Sequence, residues 1–140
     1  MIILDSDIFT LLTYGHEKVC RHYEAAREGE QLAVTAVTRM EVIRGRTDSL
    51  LKAADERELL VAAKRLQATE ATLDDFLLVH VDEAAARHFK ALLGQKKLKM
   101  KRPDLLIACI ALAHDALLVT GNTKDFIKVA GLKLANWAKD

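Results

Sequence analysis

At 140 residues, 51% hydrophobic and 29% charged, the chain has the size and composition of a single folded domain, residues 1–140, rather than of a disordered segment. A net charge of +1 excludes a whole-chain pull toward nucleic acid or membrane. The chain has no run of about 18 apolar residues and no signal-peptide pattern at its start, and its two cysteines, Cys20 and Cys109, lack a CxxC partner. These features read as a cytoplasmic, reduced protein without a membrane span or disulfide.

In chain order, "MIIL" (1–4) is a short apolar strand stopped by Asp5. Ile8, Leu11 and Leu12 then share one helical face, and Gly15 interrupts. Residues 16–28 read as a second helix ended by Gly29, and "QLAVTA" (31–36) as a second strand. "VTRMEVIRG" (37–45) opens a helix. Thr38 is its expected N-cap, Glu41 stands at capping-box spacing, and Gly45 is the expected stop. Residues 49–68 form an amphipathic, solvent-facing helix, 76–82 a third strand and 83–93 another helix. A basic loop (94–102), an apolar helix (103–114), a fourth strand (116–120), the turn "GNTKDF" and a short last strand (132–137) complete the chain. Short, continuously apolar strands separated by helices predict an α/β fold. Its expected form is a three-layer α/β/α sandwich around a central, mainly parallel sheet of four to five short strands.

Parallel sheets bind ligands at the carboxyl ends of their strands. Asp5 follows the first strand, and Asn122 and Asp125 follow the fourth. Glu41 and Asp104 each fall in the first turn of a helix. Four carboxylates (Asp5, Glu41, Asp104, Asp125) and the amide of Asn122 can therefore share one rim. Crowded carboxylates raise one another's pKa, and a hard divalent cation relieves this, with oxygen ligands selecting Mg²⁺ or Mn²⁺. Such a site suits hydrolysis of a phosphodiester by an activated water.

Each acid also has a purely structural reading. Asp104 after Pro103 suits a helix N-terminus, and Glu41 suits a capping box. Asp125 suits a turn, and Asp7 suits the first helix N-cap, which would leave Asp5 free. The five histidines form no HExxH or i,i+4 pair, which argues against zinc. GxGxxG, P-loop and GxSxG patterns are absent from the sequence.

Four stretches together resemble the PIN-domain family. They are "MIILDSDIFTLL", "VTAVTRMEVIRG", "KRPDLLIACIALAHDALLVTGNTKDF" and "GLKLANW", the last similar to the ending of VapC-type toxins of toxin–antitoxin pairs. The resemblance runs from residue 1 to 137, and residues 48–75 carry no motif. It implies that Asp5, Glu41 and Asp104 hold Mg²⁺ or Mn²⁺. The fourth acidic position of many relatives is here Asn122, with Asp125 three residues on. Ser6 and Asp7 stand where Thr and Asn are commoner. The resemblance further implies an endoribonuclease acting on RNA, a homodimer, and inhibition by a small antitoxin whose tail wraps the toxin.

RNA is anionic, so an acidic rim needs cations beside it. "KKLKMKR" places five basic residues between 96 and 102, among them Lys97, Lys99, Lys101 and Arg102, just before Asp104. Arg39, Arg44 and Arg46 flank Glu41. Two other classes stay open: a catalytically weak fold acting in an antitoxin complex on promoter DNA, and a metal-dependent DNA or flap nuclease.

Overall fold

The structure, a computed structural model, describes residues 1–139. Its elements run β1 (Ile2–Leu4), α1 (Ser6–Thr13), α2 (Glu17–Ala26), β2 (Leu32–Thr35), α3 (Ala36–Leu51) and α4 (Glu56–Leu73). β3 (Leu77–Val79), α5 (Glu83–Leu93), α6 (Arg102–Ala113), β4 (Leu117–Val119), α7 (Thr123–Phe126) and β5 (Lys133–Ala135) follow. The strands form one five-stranded sheet in the order β3-β2-β1-β4-β5, and every neighbouring pair is parallel. This is the expected three-layer arrangement, with the expected last strand present as the edge strand over Lys133–Ala135.

Alternation along β1 divides the core. Ile3 packs with α5, α6 and Phe126 on one face, while Ile2 and Leu4 pack with α1, α2 and Phe76 on the other. A strand whose side chains are buried on both faces has no polar positions, so "MIIL" reads as continuously apolar. The strands are shorter than their apolar runs: β3 covers only Leu77–Val79 of the 76–82 stretch.

Several local expectations are corrected. Asp5, not Asp7, caps α1, and its Oδ1 accepts the Ile8 N–H at 3.0 Å. Thr35, not Thr38, caps α3, its hydroxyl accepting the Thr38 N–H at 3.0 Å. Helix therefore begins directly at the end of β2, and Glu41 lies beyond reach of a capping role. Gly45 does not end α3, which continues to Leu51; a Cβ there would meet open space. A capping box does occur, but on α4: Asp55 Oδ1 accepts the Glu58 N–H at 2.8 Å, and Glu58 Oε2 accepts the Ala54 N–H at 2.8 Å. α4 accordingly starts at Glu56, well after the expected residue 49.

Cys20 and Cys109 are both free thiols. Trp137 is buried and stacks on His22, with ring centroids 5.4 Å apart. Among the described residues, no helix is long and apolar enough to cross a membrane.

Candidate active site at the switch point of the sheet

From β1 the chain winds through β2 to β3, then returns to the other side of β1 as β4. The winding reverses between β1 and β4, the place where parallel sheets open a crevice beyond their carboxyl ends. Leu4 pairs with Val119, so the next residues, Asp5 and Thr120, meet side by side. Thr120 is fully buried and donates its hydroxyl to Asp5 Oδ2. The Thr120 hydroxyl oxygen in turn accepts the Asn122 N–H at 2.9 Å, tying the β4–α7 turn to the Asp5 carboxylate through Thr120.

Asp5 is buried, with 6% of its surface exposed. Burial pushes its carboxyl up to about 6; the Ile8 and Thr120 hydrogen bonds pull it down, and the charges of Asp7 and Asp104 push it further up. Asp104 sits in the first turn of α6 behind Pro103. Its carboxyl is also raised, first by burial and then by the charges of Glu41 and Asp125, with Lys101 opposing. Asp5, Glu41, Asp104 and Asp125, together with exposed Asp7, thus lie near enough on one rim for their charges to act on one another.

Glu41 reaches that rim because α3 starts at the end of β2, next to β1. Ser6 Oγ donates to Glu41 Oε1 at 2.7 Å and lies 3.5 Å from Thr38 Oγ1, which joins α1 to α3. Asn122 Nδ2 donates to Asp125 Oδ2 at 3.0 Å. Its amide oxygen is thereby turned from that contact. Asp125 is half-exposed, 3.9 Å from Lys128.

The donors at this rim are carboxylates, hydroxyls and an amide, a hard-oxygen set that fits Mg²⁺ or Mn²⁺ rather than zinc. Among the described residues, no three His, Cys, Asp or Glu side chains stand close enough to hold a metal ion as they are. The acids share an electrostatic environment without forming a closed cage.

The basic candidates separate. In the 97–101 segment Leu98 and Met100 pack on the core, and Lys97, Lys99 and Lys101 face outward between them. Lys101 is close enough to act on the charge of Asp104. The Arg102 guanidinium lies 5.1 Å from the Phe89 ring centroid. Arg44 is exposed beside Arg39 on another side of α3. Arg46 turns away from Glu41 to hold Thr69 and Tyr14.

Thr120 is the site residue that sequence reasoning missed. The available signal was a threonine ending an apolar strand. Its partner, at the end of another strand 115 positions earlier, becomes visible only once β1 and β4 are paired.

The PIN domain family model matches residues 2–132. Ribonuclease VapC2 of Rickettsia felis is 38% identical over 84 residues, which are 55% of this chain and 63% of that protein, less than two thirds of its length. VapBC2 from Rickettsia felis, bound to a DNA fragment from its promoter, superposes with a TM-score of 0.81 at 23% identity over 98% of this chain and 99% of that one. A toxin–antitoxin complex from Klebsiella pneumoniae superposes with a TM-score of 0.73 at 26% identity, covering 98% of each chain. The family match extends over nearly the whole length and not over a single motif, so the chain belongs to the PIN domain family.

Proposed function

We propose that this chain is a divalent-metal-dependent endoribonuclease, the toxin of a toxin–antitoxin pair, acting in the cytoplasm as a single-domain protomer of a homodimer. The observation that carries the reading is the set of acids at the switch point: Asp5 held by Thr120 where β1 meets β4, Glu41 held by Ser6, and Asp104, raised first by burial and then by the charges of Glu41 and Asp125. Acids that raise one another in a crevice cost stability and are explained by a cation they share. The VapC2 relative and the toxin–antitoxin complexes with the same fold support the toxin reading.

Asp5, Glu41 and Asp104 would hold Mg²⁺ or Mn²⁺, with Asn122 through its amide oxygen or Asp125 as the fourth. Bound there, the ion would supply a nucleophilic water at neutral pH and positive charge against the phosphodiester oxygens. The chain's own residues prepare the site. Ile8 and Thr120 each fix one oxygen of Asp5. Ser6 holds one oxygen of Glu41. The α6 N-terminus favours the ionised form of Asp104. Lys97, Lys99, Lys101 and Arg102 would position RNA phosphates beside the acids, with Arg44 a phosphate contact away from the rim.

The test is cleavage of single-stranded RNA with Mg²⁺ or Mn²⁺, with and without EDTA, by wild type and Asp5→Asn. Cleavage that needs metal and is lost in the variant supports the reading; equal cleavage by both proteins sinks it. A DNA strand of the same sequence run alongside decides the sugar.

A second reading is a catalytically weak chain acting through an antitoxin complex on promoter DNA. Asn122 in place of an acid favours it, as does the promoter fragment in the Rickettsia felis complex. It predicts operator binding by the complex without RNA cleavage.

A further inference from the structure

The end of α1 remote from Asp5 carries a second charged cluster. Arg46 of α3 donates from Nε to Thr69 Oγ1 at 3.0 Å, from Nη1 to the Tyr14 hydroxyl at 3.0 Å and from Nη2 to Thr13 Oγ1 at 3.3 Å. Arg65 of α4 donates from Nη1 to the same Tyr14 oxygen at 3.3 Å. Both guanidinium carbons lie over the Tyr14 ring, 4.9 and 5.1 Å from its centroid. Among the described residues, neither arginine has an ion-pair partner.

Two like charges on one phenol repel unless an anion joins them. The Tyr14 oxygen accepts twice, so its own hydrogen points elsewhere, as a third donor. A cavity of about 580 Å³ opens beside the cluster, and Lys52 and Arg57 add two more cations to its wall. The acids of that wall, Asp55 and Glu58, are engaged in capping α4.

Position indicates the anion. Ser6 meets Glu41 at one end of the α1–α3 seam, and Tyr14 meets Arg46 at the other. Arg46 follows Glu41 by five residues and Tyr14 follows Ser6 by eight, about 8 Å and about 12 Å along their helices. At about 3.4 Å per nucleotide this is about two to four nucleotides of a strand leaving the rim. The Tyr14 ring carries both guanidiniums and is not offered to a base, so the cluster suits phosphate charge rather than sequence.

We propose that Arg46 and Arg65, held over Tyr14, form a phosphodiester clamp that grips RNA beyond the acidic rim. The inference rests on the ribonuclease reading. Its test is fluorescence anisotropy of a labelled, mixed-sequence single-stranded RNA in EDTA, which reads binding without cleavage. Arg65 is exposed and makes one hydrogen bond, so Arg65→Gln keeps the fold, checked by thermal unfolding. Its affinity is expected to fall about fivefold at 0.1 M salt, with the slope of log K against log salt shallower by about 0.7. Tyr14→Phe is expected to lose less, in the same direction. Arg21→Gln on α2, whose arginine pairs with Glu17 at 2.8 Å, is expected to bind like wild type. Wild-type affinity in Arg65→Gln, or an equal loss in Arg21→Gln, overturns the clamp and leaves the nuclease reading standing. So does a poly-glutamate peptide that binds wild type but not Arg65→Gln while RNA binding is unchanged, because the clamp then takes protein carboxylates. A wild-type chain with no affinity for RNA overturns the clamp, and the Mg²⁺ cleavage assay then decides the nuclease reading by itself.

Discussion

The Thr120 hydroxyl donates to the Asp5 carboxylate across the β1–β4 pair, joining two buried residues 115 positions apart. An ionised carboxylate under that much protein needs its donors. Thr120→Val leaves one oxygen without its partner and is expected to cost about 1–3 kcal/mol at pH 7.5, measured by urea unfolding. The lower limb of the pH–rate profile moves to higher pH, and Thr120→Ser restores both. A Val variant of unchanged stability and pH profile removes Thr120 from the site.

Asp5 titrates at about 6 in the folded chain against 3.8 ordinarily. The folded state therefore holds an extra proton between those values. The associated stability is fully present below about pH 4 and is lost as pH rises through about 6. At about 1.4 kcal/mol per unit the difference approaches about 3 kcal/mol. Asn caps a helix as well as Asp, so Asp5→Asn is expected to be the more stable protein at pH 7.5 in EDTA. That advantage shrinks toward pH 4. Urea midpoints of both proteins across this range measure it, and a constant difference contradicts the burial argument.

Glu41 caps nothing; its contact is with Ser6. Glu41→Gln is expected to abolish metal-dependent cleavage while changing stability by less than about 1 kcal/mol. A true capping-box glutamate would behave oppositely. Ser6→Ala, which frees Glu41 without removing it, is expected to lower cleavage partially and to raise the metal concentration at half-maximal rate.

Asp104 combines a first-turn acid with a carboxyl raised by burial and by Glu41 and Asp125. Asp104→Asn relieves the repulsion while losing a dipole contact of about 0.3–1 kcal/mol. The net change in stability is expected to stay within about 1 kcal/mol, with cleavage lost. Retained cleavage with lowered stability would make Asp104 a helix-start acid only.

The layers were legible from "MIIL", "LAVT" and "LLV" because doubly buried strands leave almost no polar positions, Thr35 at the end of β2 apart, to confuse the pattern. Asp5 at a strand end and Asp104 behind Pro103 were legible because one closes an apolar run and the other opens one. Helix starts were not. Thr35 and Thr38 are both good caps by residue type, and the choice between them depends on where β2 stops pairing, a tertiary fact. Gly45 read as a stop because its low propensity is local, whereas the packing of α3 on α1 and α4 that carries the helix past it is not. The Tyr14–Arg46–Arg65 cluster draws on three helices, and its members share no spacing a sequence could display.

The β1–β4 pairing also sets the order in which the molecule becomes competent. Asp5 leaves the ribosome well before its partners: the β4 strand that seats it and the threonine that holds it are made more than a hundred residues later. β1, β2 and β3 can associate before then, but half of the crevice is still missing. A chain that has not yet reached β4 therefore carries an unassembled rim, and competence arrives only once Thr120 has been made.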